Sequence, residues 1–425
     1  MAYARGGAQG TVELNWLESF DDNQLVALIG EAVSSNYALE QERARLAQAE
    51  QLVVIVRADR FPELDVSLGG TRRGFDDAGG NRVTVNSFDA GVDLLWQIDL
   101  WGKLSKTQQA AQLAFAAQQA RLDGTARDLA IATASSVFRV MEARQLQQVA
   151  QRRLDNAIES HDIVASGYRQ GLNDALDLYL ARNQMERQQA NLAEQQQLVV
   201  EAIADLQLAL ARYPDGKMLL EGELPIVTDP VPVGLPSELL TRRPDLQEAW
   251  LNLLSADAEL AAAHKARFPS LSLVGGGGVA SVEFADLLDG DGATWSMLGN
   301  LSQPLFDSGR LAAREEQALQ RVRAAEQQYL GLVYSAFAEV ENAISQSSSL
   351  AERYESFQEA EKNAHAALSL ALEQYRRGLV AYTTVLESQR QAFDAEVTVV
   401  QLRNLLLQNR LSLYQALGGG FSAGY

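Results

Sequence analysis

Arg60-Phe61-Pro62 and Arg267-Phe268-Pro269 stand 207 residues apart, and that offset organises the chain. At the same spacing Gly102-Lys103-Leu104 answers to Gly309-Arg310-Leu311, Tyr168-Arg169 to Tyr375-Arg376, Gly171-Leu172 to Gly378-Leu379, and Ala209-Leu210 to Ala416-Leu417. One repeated tripeptide is weak evidence, but landmarks held in a single register without a gap point to a tandem duplication.

Proline punctuates the two copies. It is absent between Pro62 and Pro214 and again after Pro304, whereas Pro214, Pro225, Pro230, Pro232, Pro236 and Pro244 crowd one stretch, which reads as the linker. Because proline costs about 3 kcal/mol inside a helix, the Pro-free runs rich in Ala, Gln, Glu, Leu and Arg predict long helices over Leu104 to Ser166 and Leu311 to Arg377. Val333, Phe337, Val340 and Ile344, like Leu198, Ala202, Leu206 and Leu210, recur at three- and four-residue steps, the mark of narrow apolar stripes on polar helices.

Each copy therefore reads as a helix, two strands, a very long helix, a Gly-marked turn and a medium helix. The medium helices are expected over about Asn23 to Val56 and Leu172 to Ala211 in the first copy, and over Ser237 to Arg267 and Leu379 to Leu417 in the second. At roughly 1.5 Å per residue the long helix and the two flanking ones each span near 100 Å, so two shorter helices are expected to stack beside one long one in a rod. The expected divisions are an N-terminal segment 1–22, repeat one 23–211 with its hairpin 61–101, a linker 212–236, repeat two 237–417 with its hairpin 268–306, and a tail 418–425.

Composition narrows the function. A chain of 425 residues with 47% hydrophobic content buries a substantial core. Its net charge of −19 argues against nucleic acid and anionic headgroups as partners. Without cysteine there is no disulfide framework, thiolate metal site or cysteine nucleophile. Charged residues interrupt every long helical segment before a membrane-spanning length of about 18 to 20 apolar residues is reached, so any passage through a membrane uses strands. Met1 to Thr11 has one Arg and no apolar core and is not read as a signal peptide.

The strand-like segments Asp65 to Arg73, Phe88 to Ile98, Leu271 to Ala280 and Thr294 to Gln303 have the length of a tilted transmembrane strand, about 9 to 11 residues. Val92, Leu94, Trp96 and Ile98 alternate with Asp93, Leu95, Gln97 and Asp99, and Leu64, Val66 and Leu68 with Glu63, Asp65 and Ser67. Trp96, Trp101, Trp295 and Phe306 near the strand ends suit an interfacial aromatic girdle. The alternation alone serves a soluble hairpin packed on a core equally well, and the glycine-rich loops Gly74 to Arg82 and Ala285 to Ala293 do not discriminate. Four strands cannot close a barrel; two chains supply eight, which side chains nearly fill, and three supply twelve, enough for a passage.

The landmarks resemble the TolC-like outer-membrane factor family, in the branch serving resistance-nodulation-division pumps, over nearly the whole chain. The carrying residues are Asn15-Trp16 through Leu28, Phe61-Pro62, Asp99-Leu100-Trp101-Gly102-Lys103, Phe306-Asp307-Ser308-Gly309-Arg310 and Arg242-Arg243-Pro244-Asp245-Leu246. The resemblance implies a mainly α homotrimeric duct: a twelve-stranded β-barrel in the outer membrane of a Gram-negative bacterium, a long periplasmic helical barrel, and an equatorial region from the linker and termini. It implies a passive export channel for small molecules that docks to a periplasmic membrane-fusion adaptor and an inner-membrane efflux pump, with outer-membrane lipid around it and no cofactor. No nucleophile, base and oxyanion constellation presents itself in the sequence, so no enzymatic activity is expected. Many relatives carry an N-terminal lipidated cysteine, which this sequence lacks.

The turns Gly167-Tyr168-Arg169-Gln170-Gly171-Leu172 and Gln374-Tyr375-Arg376-Arg377-Gly378-Leu379 look like the family's periplasmic tips, so Gly167, Tyr168, Arg169, Gly171, Leu172, Gly378 and Leu379 are expected to meet the adaptor. Asp174, Asp177 and Glu387 resemble the family's aperture, where acidic rings face the axis. Three copies of Glu387 near that axis would raise its pKa by like-charge repulsion; an ordinary solvated helix face is the competing reading. Tyr375 resembles a latch hydrogen-bonded to Asp177 of a neighbouring hairpin, or else simply packs between helices. Val380 departs from relatives that carry arginine there, which leaves Arg376 or Arg377 to supply the cation.

No other chemistry presents itself. His161, His264 and His365 lie about a hundred residues apart without ligand-like neighbours. Gly275 to Gly278 lacks the lysine and the strand-to-helix setting of a phosphate loop. The Asp and Glu pairs are ordinary helix-surface charge. A soluble helical coiled-coil scaffold or adaptor is the runner-up, and a carboxylate hydrolase a distant third.

Overall fold

The computed structural model describes residues 16–220, 222–226, 231–288 and 292–419, so Asn15, Pro230 and most of the expected tail lie outside the described residues. In chain order the elements are α1 (Asn23–Ser35), α2 (Tyr37–Ala58), β1 (Glu63–Asp76), β2 (Arg82–Ile98), α3 (Lys103–Arg169), α4 (Ala175–Ala209), α5 (Leu239–Arg242), α6 (Pro244–Lys265), β3 (Ser270–Ser281), β4 (Thr294–Ser302), α7 (Arg310–Arg376) and α8 (Tyr382–Ala416). α2, α3 and α4 begin and end 207 residues before α6, α7 and α8. α3 and α7 have 67 residues each, about 100 Å of helix.

The expected first helix is in fact two. Asn36 leaves the helical region at φ −72° and ψ 127° and ends α1. Its side-chain oxygen accepts from Ala38 N at 2.9 Å, capping α2, while its amide donates to the Ala209 carbonyl at 3.1 Å. A break also interrupts the stretch expected as one helix over Ser237 to Arg267, because the residue before a proline is pushed out of the helical region. Arg243, at φ −78° and ψ 119°, ends α5, and Pro244 opens α6.

The chain forms two compact units. One takes Leu122–Leu246 with the chain before Arg43 and after Gly331; the other takes Arg43–Arg121 and Gln247–Gly331. In the first, Trp16, Ile29, Phe138, Leu206, Leu210 and Tyr414 belong to one buried cluster, with Trp16 stacked on Tyr414 at 6.1 Å. Each such side chain contributes about 1.5–3 kcal/mol. Arg144 donates to the Met218 and Leu220 carbonyls and so holds the start of the linker against α3. A polar seam joins α3 to α8: Ser135 Oγ donates to Gln408 Oε1 at 2.6 Å, and Asn404 Nδ2 to Glu142 Oε2 at 2.6 Å. Burial pushes the Glu142 carboxyl up to about 6 against the opposing pull of Asn404 and Arg139.

The second unit holds an antiparallel sheet in the order β1-β2-β3-β4. Its strands differ from expectation in the first hairpin, where β1 and β2 run 14 and 17 residues, reach on to Asp76 and back to Arg82, and so take both ends of the stretch read as a loop. Only Asp77 to Asn81 turns, and Asp77 Oδ1 accepts from Gly79 N at 2.9 Å and Asn81 N at 2.8 Å. Asp99 caps α3 by accepting from Leu104 N and Ser105 N at 2.9 and 2.8 Å, and Asp307 accepts from Leu311 N at 2.9 Å at the start of α7. Both helix starts follow a left-handed glycine, Gly102 at φ +75° and Gly309 at φ +82°.

Candidate functional site

Residues directly opposed in an antiparallel pair share a face of the sheet, so the register sorts every side chain. One row runs Val66, Val92, Gly277, Trp295; the next on that face runs Leu64, Leu94, Gly275, Met297. Along β2 this face carries Phe88, Ala90, Val92, Leu94, Trp96 and Ile98 without a polar interruption, and Leu271, Leu273, Val279 and Leu301 join it. The other face carries Asp65, Ser67, Asp89, Asp93, Gln97, Ser272, Ser296 and Asn300. The apolar face is bare in the protomer, with Val66 85% and Trp295 83% exposed.

From Ile98 to Phe88 the apolar face covers ten residue steps of β2, about 33 Å along the strand at roughly 3.3 Å per residue. At the 35–45° tilt of outer-membrane barrels this is about 25 Å along the normal, the height of their apolar band. β1 and β4 each pair on one side only, leaving two open edges. Among the described residues no helix is long and apolar enough to cross a membrane.

Trp96 and Trp101 lie at the helix-connected end of the sheet. Trp96 Nε1 donates to the Arg60 carbonyl at 3.0 Å and Trp101 Nε1 to the Pro269 carbonyl at 2.7 Å, while the Trp101 ring packs on Phe268 at 5.5 Å. Phe306, 88% exposed, follows β4 at the same end. Trp295 begins β4 but stands level with Val92, inside the band rather than at its limit, because β4 is short. The aromatic pair at the far limit is one the sequence reading missed: Phe88 and Phe284, edge to face at 5.6 Å.

At the other candidate site, α3 and α7 end alike. Leu172 N donates to the Gly167 carbonyl at 2.8 Å and Gly171 N to Tyr168 O at 3.0 Å; Leu379 N donates to Gln374 O at 2.9 Å and Gly378 N to Tyr375 O at 2.8 Å. This is the Schellman arrangement, and it requires the left-handed backbone that Gly171 and Gly378 adopt at φ +73° and +72°. Gly167 has a separate reason: a Cβ there would run into the Asn173 amide. Tyr168, Leu172 and Leu379 are exposed, as are Leu176 and Tyr179, which continue an apolar stripe on α4.

Beneath the turns Val164, Ala181, Ala371, Tyr382 and Val385 form a small core that ties α3 and α4 to α7 and α8. Tyr375 and Tyr382 pack at 5.5 Å. The expected Tyr375 to Asp177 hydrogen bond is not made within the chain; among the described residues the buried Tyr375 hydroxyl meets no partner in strict hydrogen-bonding geometry, with the Asn173 amide near enough to draw its pKa down. The two groups still sense each other: burial and then the Asp177 charge raise the Tyr375 pKa. Asp177 is itself raised, by burial and then by Asp174. Asp174 is the N-cap of α4, accepting from Asp177 N at 2.9 Å, whereas its counterpart Ala381 gives α8 no side-chain cap.

Within one chain Glu387 fits the competing reading of a solvated helix face, whereas the effect of three copies near an axis belongs to the assembly. Within the chain Arg390 and Gln391 donate to its carboxylate, Arg390 Nη2 at 2.6 Å, and bring it down to about 2. Arg376 and Arg377 are likewise engaged away from the tip acids, Arg376 with Glu159 at 3.4 Å and Arg377 with Glu373 one turn before it. The protomer therefore brings Asp174, Asp177 and Tyr375 together and leaves Glu387, Arg376 and Arg377 in local pairs.

The family model described as outer membrane efflux protein matches residues 28–212 and again 235–419, two stretches whose starts and ends both differ by 207. The chain belongs to the outer membrane efflux protein family. The probable outer membrane lipoprotein SilC of Salmonella typhimurium is 31% identical over 417 residues, 96% of this chain and 88% of that protein. The pyoverdine export outer membrane protein OpmQ of Pseudomonas aeruginosa is 28% identical over 429 residues, 99% of this chain and 90% of that protein. The solved outer-membrane channel OprN superposes with a TM-score of 0.90 at 27% identity, covering 98% of this chain and 94% of that one. This outer membrane efflux protein is the outer-membrane component of an efflux system.

Proposed function

We propose that three copies of this efflux protein close a twelve-stranded barrel, β4 of each pairing with β1 of the next, and that the resulting duct passively exports small molecules delivered by a periplasmic adaptor and an inner-membrane pump. The observation that carries this reading is a four-stranded sheet with one face that is apolar along β2 from Ile98 to Phe88, and with two open edges. Unpaired backbone groups are not tolerated in hydrocarbon, so both edges need partners, and copies of the chain supply them. The carboxylates on the opposite face then line the lumen.

In this reading Gly167, Tyr168, Arg169, Gly171, Leu172, Gly378 and Leu379 form the docking tip for the adaptor, Trp96, Trp101 and Phe306 belong to the aromatic girdle, and Trp295 faces the lipid within the band. Over its described residues the linker belongs to an equatorial collar. Asp174, Asp177 and Tyr375 close the aperture, with Glu387, Arg376 and Arg377 at its border.

The chain has no cysteine of its own, so paired single cysteines in β1 and β4, such as Val66→Cys with Met297→Cys, test the assembly on a non-reducing gel. A ladder that stops at three copies supports the reading; monomer alone, or an open-ended ladder, contradicts it.

A further inference from the structure

Beyond the row of Gly70 and Phe88 the first hairpin keeps its register but exchanges its faces. Up to that row the lipid side of β1 carries Leu64, Val66 and Leu68; past it the same side carries Arg72 opposite Asn86, Gly74 opposite Thr84, and Asp76 opposite Arg82. The apolar residues move to the other side, as Phe75, Val83 and Val85. The ladder is continuous through the switch, so the change is one of residue type and not of geometry. A lipid-facing surface turns polar where hydrocarbon ends.

Arg72 lies two residues past Gly70 and Arg82 six before Phe88, about 7 and 20 Å along the strands. Allowing for barrel tilt, they stand about 5 and 15 Å outside the apolar band. Both are exposed, and Arg82 shares its charge with Asp76 at 3.8 Å. A chain of net charge −19 ought to avoid anionic headgroups, yet on this side of the hairpin the first charged residue outside the band is an arginine. Arg73 carries the same charge one residue on and faces the opposite way.

We propose that Arg72, assisted by Arg82 and Asn86, binds phosphate-bearing headgroups of the outer leaflet and so fixes the height of the barrel in the membrane. The inference rests on the reading of the sheet as part of an outer-membrane barrel. A guanidinium suits this ligand because its fork of donors matches phosphate oxygens two at a time.

The test uses the full chain in detergent micelles doped either with a bisphosphorylated glycolipid or with the same lipid stripped of phosphate, and reads equilibrium binding. Arg72→Gln should weaken binding of the phosphorylated lipid about five-fold, the increment expected of one basic side chain at an anionic surface. Arg82→Gln should lose less, Arg72→Lys should keep most of the affinity, and Arg73→Gln should match the native chain. The dephosphorylated lipid should bind more weakly and not distinguish the variants, and millimolar inorganic phosphate should not displace the lipid. Equal losses in Arg72→Gln and Arg73→Gln, equal binding of both lipids, or displacement by free phosphate would overturn the proposal. Oligomer mass separates the two readings: an assembled Arg72→Gln protein with native binding sinks this inference alone, whereas failure of the native chain to assemble counts against the barrel.

Discussion

From α2 to α4 and from α6 to α8 the helices of the two repeats coincide: α3 and α7 have 67 residues each, α4 and α8 35 each, and both long helices end in the same Schellman turn on a left-handed glycine. In the sheet they part. β1 and β2 run 14 and 17 residues, β3 and β4 only 12 and 9. Helices that pack side by side must match in length and turn position, because a one-residue change rotates every side chain behind it by about 100°. A hairpin needs to match its neighbour only through the membrane; outside it, one arm is free to lengthen. By the 207-residue offset most of the surplus falls in Phe75, Asp76 and Arg82 to Asn86, past the row where the faces exchange, and the rest in Trp96 to Ile98 at the helix-connected end.

The comparison can be broken most severely inside the band. Val92→Arg places a charge near its middle on the lipid side and should cost ~2–4 kcal/mol, read as loss of assembled protein from the outer-membrane fraction. Asp93→Asn, one residue on and on the other face, should assemble normally. Equal losses in the two would mean that the faces are misassigned.

At the tips the repeats should respond alike. Gly171→Ala and Gly378→Ala each force a side chain into the left-handed region, at about 1–2 kcal/mol. Hydrogen exchange in the last turns of α3 and α7 should rise to a similar degree in both; a large difference would show that the matching turns carry unequal loads.

A smaller effect sharpens the one place where the tips differ. Asp174→Ala should cost α4 about 1 kcal/mol of capping and speed exchange in its first turn. Ala381→Ser should slow exchange at the start of α8, where no side chain caps the helix.

How much of this the sequence made legible depended on the range of the interaction. The offset, the long helices and the tip turns are local pattern, and Gly171 and Gly378 mark their turns by residue type alone. The break at Asn36 was not legible, since its cap reaches across to the Ala209 carbonyl. The strand extension through Gly74 and Phe75 was missed because glycine and charge read as loop until a register pairs them. Glu387 was legible only as two alternatives, an axial ring or a solvated helix face, because the local pairing that Arg390 and Gln391 give it, three and four residues on, depends on rotamers that sequence does not fix.

The subtlest effect concerns pH. Burial and then Asp174 hold Asp177 above the ordinary carboxyl value, so closure of the proposed aperture is expected to weaken as pH rises through that raised value. Glu387, held down to about 2, stays ionised unless pH falls through that value. Any change in conductance between pH 7 and about 4 should therefore vanish in Asp177→Asn and persist in Glu387→Gln; the reverse pattern would reassign the aperture.

The measurement that bears most directly on the duct is planar-bilayer conductance of the detergent-purified protein together with its oligomer mass. The account predicts a trimer with low, acid-sensitive, cation-preferring conductance, as a lumen lined by Asp65, Asp89 and Asp93 requires. A non-conducting monomer would contradict it.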